Sequence, residues 1–481
     1  MQHLKNRDIR EELYRASITR ASKPAPGKES ETAGADGVLK NGDNTLLILE
    51  TLRLRKRKAA LLGYKDHCEV SMAKKMATSE SAFQLLEDLR QKSRPYAEKE
   101  LVEVTEFAKA NGGPDELKHW DVPYWAERQR EAQFSFAEED LRPYLPLPAV
   151  LDGLFALLKR IFDVDVKPAT ASLEKPHPDV QVFEVHRDGQ VVAHFYLDPY
   201  ARPAEKRGGA WMDEVYGRSD LFGKSEGSVR LPCAHMVCNG TPPVDGKPSL
   251  MTFREVETLF HEAGHAFQHM LTRVDCGFCS GIRNVEWDAV ELPSQFMENW
   301  CYDKPTLLSF AKHYETGETL PDDLFDKLNA ARTFRAGSMM MRQIHFATTD
   351  LSLHSLDRFD PDAADESAIF DLEKQVAEKT CVVMPLAEDR FLCGFAHIFA
   401  GGYSAGYFSY KWAEVLSADA FAAFEEAGLD NEAAVKETGA RFADTVMGLG
   451  GSLPPMEVFK RFRGREPSTD ALLRHSGLVS A

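Results

Sequence analysis

The stretch Phe253–Leu271 carries His261-Glu262-Ala263-Gly264-His265, of the form H-E-x-x-H. Residues four apart share one face of an α-helix, so both imidazoles can reach a single ion. Apart from Gly264 the flanking residues suit a helix, and no proline interrupts the run from Phe253 to Arg273. Zinc takes imidazole nitrogen readily, and a catalytic zinc keeps one position for water. Glu262 lies about 100° around the helix from the first histidine. That places it beside the ion, where a carboxylate can accept a proton from bound water. Two histidines leave such a site one protein ligand short. The following segment Glu286–Trp300 offers Glu291 or Asp288, with Glu291 preferred on spacing. Asp288 and Glu298 are expected on the same helix, as groups that orient a histidine from behind.

The bulk properties narrow the classes. The chain has 481 residues, with 43% hydrophobic and 28% charged, the balance of a soluble globular protein long enough for more than one lobe. A net charge of −17 argues against a nucleic-acid partner held by a broad basic face. No apolar run reaches the length of a bilayer span, and Met1–Arg10 has no apolar signal core, so no membrane partner and a cytoplasmic location are expected. Eight cysteines in this length make no disulfide framework. Cys276 and Cys279 form C-x-x-C, and Cys233 and Cys238 are close in sequence. The loose second spacing and the lack of a thioredoxin-like setting favour incidental thiols over a second metal or a redox pair.

The elements that must position the histidines follow in order. Residues 1–20 read as a charged helix, and 21–45, rich in Pro, Gly and Ser, as a surface loop or mobile linker. Helical periodicity covers 44–62, 69–92, 95–111 with Pro95 in the first turn, 124–134 and 149–162. Residues 1–165 therefore read as a helical lobe and 166–481 as the catalytic region. Val180–Val185 and Val191–Leu197 flank Asp188-Gly189, a hairpin signal. Further strands are expected around 208–212 and 234–239, giving a small sheet within 178–240. Helices are expected again at 286–301, 304–315, 321–346, 367–379, 403–425, 430–446 and 456–462. Arg335, Arg342 and Met339–Met341 read as surface ion pairs and core. Gly401-Gly402 permits a sharp or mobile backbone, and Tyr403, Tyr407 and Tyr410 follow at helix-like spacing, with His397 just before. Taken alone these rings read as core packing with satisfied hydroxyls. Beside a metal they can stabilise an oxyanion.

Several long motifs carry a resemblance. Thr258–His265, Ser280-Gly281 and Trp287-Asp-Ala-Val-Glu-Leu-Pro-Ser-Gln-Phe-Met-Glu-Asn-Trp300 are joined by His194–Arg202, Lys206–Asp213, Phe395–Trp412, Gly450–Pro455 and Phe462–Pro467. Taken in chain order they resemble the thimet-oligopeptidase family of zinc metallopeptidases, most of all its oligopeptidase A and organellar oligopeptidase branch. The resemblance implies Glu291 as third ligand and one Zn²⁺ per chain. It assigns His397, Tyr407 and Tyr410, and more weakly Tyr403, to substrate and transition-state binding on the Gly401-Gly402 loop. It maps Gly208-Gly209-Ala210 onto a strand lining a cleft, where Gly209 and Ala210 would let a peptide backbone come close. A plain bulge is the other reading of that stretch.

The implied fold is mainly α, a gluzincin-type zincin with a small sheet beside the H-E-x-x-H helix and two lobes around a cleft. The implied activity is internal cleavage of short unfolded peptides by a monomer, in intracellular peptide turnover. Family members carry a large helical region ahead of what is here residue 1, so the helical lobe is expected to be a remnant. From that follow two alternatives: a catalytically weak or inactive peptide binder without its channel wall, and a mitochondrial or plastid location through an upstream transit peptide.

Overall fold

A computed structural model describes residues 1–22, 42–134, 138–170, 174–223, 225 and 227–479. The linker expected over 21–45 falls mostly on 23–41, outside the described residues. The first helices are α1 (Arg7–Ile18), α2 (Thr45–Leu61), α3 (His67–Met72), α4 (Ser79–Ala110), α5 (Val122–Phe134) and α6 (Leu147–Phe162). Five strands follow: β1 (Asp165–Pro168), β2 (Gln181–Arg187), β3 (Gln190–Tyr200), β4 (Trp211–Tyr216) and β5 (Cys233–Gly240). Then come α7 (Phe253–Met270), α8 (Leu292–Asn299), α9 (Lys304–Phe310), α10 (Asp322–Arg332), α11 (Ala336–His354) and α12 (Glu366–Thr380). The chain closes with α13 (Ala396–Phe399), α14 (Ser409–Ala427), α15 (Glu432–Phe442), α16 (Pro455–Arg463) and α17 (Asp470–His475). No helix among the described residues is long and apolar enough to cross a membrane.

Four expectations meet a different backbone. The helices expected at 69–92 and 95–111 are instead a short α3 and one continuous α4, with Pro95 inside it. An interior proline costs about 3 kcal/mol or more. Burial of Leu85, Leu86, Leu89, Ala97 and Val104 on either side offsets it, each buried leucine contributing about 1.5–3 kcal/mol. The run expected at 321–346 breaks between α10 and α11, where Arg335 adopts a left-handed φ of 56°. The run at 286–301 yields only α8, which starts at Leu292 with proline in its first turn. The run at 403–425 starts as a helix only at Ser409. Met340 and Met341 are buried but Met339 is exposed.

The chain divides into two units. One comprises residues 1–135, 331–412 and 476–481, the other 136–330 and 413–475. This differs from the expected division at 165, because periodicity locates helices without saying which of them pack together. In the first unit α4 packs on α11, and α11 on α12. A cluster of Val104, Ala108, Leu117 and Ala126 gathers Leu101, Val122, Trp125 and Phe334 around it.

The second unit holds the sheet, in the order β1-β2-β3-β5-β4. All neighbours are antiparallel except β3 and β5. Asp188 and Gly189 both take positive φ, 52° and 74°, as a two-residue hairpin turn requires. β1 is an additional short strand that residue pattern did not signal. α7 packs on β3, β4 and β5. Its buried residues Val256, Leu259, Phe260, Ala263, Phe267 and Met270 recur at helical spacing. Thr252 caps it, accepting the N–H of Glu255, whose side chain in turn accepts the N–H of Thr252. α8 is secured by aromatic rings from late in the chain. Phe296 lies 4.2 Å from Phe442 and 5.3 Å from Phe424, ring centre to ring centre, and Trp300 lies 5.4 Å from Phe424.

Candidate metal centre

Capping and the apolar stripe fix α7 so that His261 and His265 project together, their ring centres 5.0 Å apart. Gly264 lies between them on the side facing α8. A Cβ there would stand 2.4 Å from the Pro293 carbonyl oxygen, so only glycine lets the two helices approach this closely. The close approach delivers Glu291, the residue just before α8. Its Oε2 lies 3.3 Å from His261 Nε2 and 3.2 Å from His265 Nε2. Ser294 donates from Oγ to the same oxygen at 2.8 Å. Behind the ligands, His261 Nδ1 donates to Glu298 Oε1 at 2.6 Å. Asp288 is fully buried in the turn ahead of α8, so it does not share a helix with Glu298.

The donor set suits a metal. The three ligand atoms lie within 4.8 Å of one another. Bonds of about 2.0–2.1 Å would place tetrahedral ligand atoms about 3.3 Å apart, close to the two separations from Glu291. Two imidazoles and one carboxylate are the mixture that leaves a catalytic zinc an open position. Without an ion, the same atoms share protons. Burial works against a charged His261, but Glu291 and Glu298 prevail and hold its pKa at about 10. Burial likewise disfavours a charged Glu291, yet the hydrogen bonds from His261 and His265 keep it far below the usual carboxylate range. A bound cation would displace the His261 proton.

Glu262 sits on the adjoining face of α7 and is buried. Burial raises its pKa, against the pull of His261 and His265 and, more weakly, of the nearby Met212 backbone. Met212 belongs to β4, the strand at the edge of the sheet. The strand expected at 208–212 in fact spans 211–216. Gly208 and Gly209 precede it, and Gly209 takes φ +100°, outside what a strand or a side-chain-bearing residue allows. Asn239 donates from its side-chain amide to the Gly209 carbonyl. Ala210 lines a recess with Leu147, Pro199, Cys238, Met251 and Leu259.

The other expected site residues lie in the first unit, where they gather into one aromatic cluster. His397 is exposed on the single turn α13, its ring 5.8 Å from that of Tyr407 and 6.2 Å from that of Tyr403. Tyr403 stacks on Tyr410 at 4.9 Å, and Tyr407 stands at 5.3 Å from Tyr410. Tyr407 donates its hydroxyl to Gln343 Oε1 at 3.0 Å. Gly401 and Gly402 are exposed between His397 and Tyr403, and Gly402 takes φ +85°. The cluster comes from a turn rather than the helical spacing expected. All eight cysteines are thiols outside any disulfide, and no group that could hold a metal among the described residues contains one.

The residue pattern does not single out Ser294 within its motif, although a hydroxyl three residues after a candidate ligand at a helix start is a usable signal.

Organellar oligopeptidase A, chloroplastic/mitochondrial, of Arabidopsis thaliana is 57% identical over 484 residues, covering 100% of this chain and 59% of that protein. Probable cytosolic oligopeptidase A of the same organism is 56% identical, covering 100% of this chain and 66% of that protein. The chain thus spans less than two thirds of the length of either relative. Among solved structures, PZ peptidase A with inhibitor 2 superposes with a TM-score of 0.53 at 14% identity, over 98% of this chain and 68% of that one, a likeness of fold alone. A model of the family described as Peptidase family M3 matches residues 1–478, and the chain belongs to that family.

Proposed function

We propose that this chain is a zinc-dependent endopeptidase of the gluzincin type that hydrolyses short peptides. The observation carrying the reading is the convergence of His261 Nε2 and His265 Nε2 on one Glu291 oxygen, with the buried Glu262 carboxylate alongside. His261, His265 and Glu291 would hold the zinc, which would supply Lewis acidity toward a carbonyl oxygen and toward water. Glu262 takes a proton from the attacking water and passes it to the leaving amine. Burial suits it to that work, because it raises the carboxyl pKa above the ordinary value and so strengthens Glu262 as a proton acceptor. Glu298 orients the His261 ring from behind, and Ser294 steadies the Glu291 carboxylate. β4 presents the sheet edge on which an extended peptide can add by backbone hydrogen bonds, with Gly209 and Ala210 at its start. The family resemblance supports His397, Tyr407 and Tyr410, with Tyr403, as donors to the substrate.

Glu262→Gln tests the mechanism. It should keep the metal and lose hydrolysis of an internally quenched peptide by about 10²–10⁴-fold. Cleavage at the parent rate would remove Glu262 from the mechanism, and loss of the metal would show that the residue serves the site's architecture instead.

A further inference from the structure

The loop bearing His397 and the tyrosines is held by side chains of α2, α3 and α11, all within the first unit. Asp350 of α11 is fully buried. Its Oδ1 accepts the backbone N–H of Ala405 at 2.8 Å, and its Oδ2 accepts those of Gly406 and Tyr407 at 2.9 Å each. Three successive amides around one carboxylate form the concavity that elsewhere binds a free anion. Here the anion belongs to the chain. Ala405 is fully buried and takes a left-handed φ of 46°. For a residue with a Cβ that conformation costs about 1–2 kcal/mol, and such strain persists only where surrounding bonds over-determine it.

A second layer stands behind Asp350. Arg55 of α2 donates from Nη1 to the Ile398 carbonyl at 2.9 Å and to His354 Nε2 at 2.8 Å. A guanidinium has no acceptor, so His354 Nε2 accepts and the ring proton is on Nδ1. That Nδ1 lies 2.8 Å from the Asp350 carbonyl and 3.0 Å from Asp350 Oδ1. Ser71 Oγ lies 3.0 and 2.9 Å from the carbonyls of Ser404 and Ala405. One polar chain therefore runs from Arg55 through His354 and Asp350 to the amides of the turn. It holds the carbonyl before Phe399 and the amides from Ala405 to Tyr407. Between those anchors lie Gly401, Gly402 and Tyr403; just outside them lie His397 and Tyr410.

We propose that Asp350 is a positioning residue for the peptidase reaction, fixing the turn that sets the tyrosine rings and His397 relative to one another. The inference rests on the proposed role of those rings. Asp350→Asn is the test, since it keeps the shape but turns one acceptor into an N–H facing the N–H groups of the turn. It is compared in the full chain with Tyr410→Phe and the double variant. The readouts are kcat and KM on a quenched peptide, zinc content, and hydrogen exchange of the amides at 404–408.

The expected results are faster exchange at 405–407, parental zinc content, and kcat lower by about hundredfold, the loss typical of a misplaced catalytic group. In the double variant little should be lost beyond Tyr410→Phe alone. Unchanged exchange, faster exchange at parental kcat, or losses that multiply fully would overturn the proposal, the last because a merely structural residue acts independently of Tyr410. Tyr410→Phe at the parental rate would instead sink the reading of the tyrosine, and the exchange rates would still decide whether Asp350 holds the turn. Should Asp350→Asn fail to fold, Asp350→Glu displaces the carboxylate by one methylene with its charge kept, and parental exchange and kcat in it would equally overturn the proposal.

Discussion

Glu298 offers the sharpest probe of the proposed metal centre, because it touches a proposed ligand and not the ion. Its Oε1 accepts the His261 Nδ1–H at 2.6 Å. A hydrogen bond to a charged partner contributes about 1.5–3 kcal/mol. The Glu298 side chain is 36% exposed, so water replaces part of what is lost and the lower end applies. About 1.5–2 kcal/mol corresponds to roughly ten- to thirtyfold weaker holding of the ion, within the 10–100-fold range typical of such outer partners. The quantity must be read in the right state. In the metal-free chain Glu298 also helps hold the extra proton on His261, and removing it eases that competition. An equilibrium affinity would mix the two effects. The rate of zinc loss to excess chelator reports the bound state alone. Glu298→Ala, which removes the acceptor, should raise that rate about ten- to thirtyfold, and Glu291→Ala, which removes a ligand outright, should raise it more. An unchanged rate in Glu298→Ala would refute the view that this contact stabilises the centre.

Two further outcomes are expected. In Gly264→Ala the new methyl would lie 2.5 Å from the Ser294 Cα, so α8 must move and carry Glu291 away from the histidines; stability should fall by about 1–3 kcal/mol, with metal retention, and a variant that unfolds and binds zinc like the parent would contradict the packing argument. Glu373 is pushed up to about 8, by burial first and by Asp389 second, with Arg390 opposing. Its folded pKa lies above its unfolded value of 4.5, so its contribution is complete below pH 4.5 and is lost as pH rises through 8. Relative to Glu373→Gln, the parent should lose up to about 1.4 kcal/mol per pH unit across that window. Urea midpoints at pH 5 and pH 8 check this, and an equal difference between the two proteins at both values would exclude it.

The residues themselves disclosed much of this. The stripe on α7, its Thr252 cap and the Asp188-Gly189 hairpin are short-range signals, and local chemistry decides them. That Glu291 comes beside His261 and His265 was reachable, because a zinc held by two histidines would need a third ligand. What the sequence hid was set by distance along the chain. Helical periodicity ran on through 286–301, although Pro293 is a better marker of where α8 starts. Nothing local announces that Arg335 breaks a helix, or that Pro95 does not, since tertiary packing decides both. The division of the units is hidden for the same reason. Asp350 illustrates it most directly, because its partners are amides, and amides look alike at every position.

The aromatic wall behind α8 has a consequence for how the metal centre comes into being. All three candidate ligands have been synthesised once Glu291 is made, but Phe424 and Phe442, which brace Phe296, come much later. At about 5–20 residues per second, roughly 8–30 s of translation separate Glu291 from Phe442. During that interval the nascent chain carries two imidazoles and a carboxylate that no finished scaffold holds in register. On the proposed reading, tight metal uptake would wait for residue 442, and a ribosome stalled before it would display the whole motif without its grip.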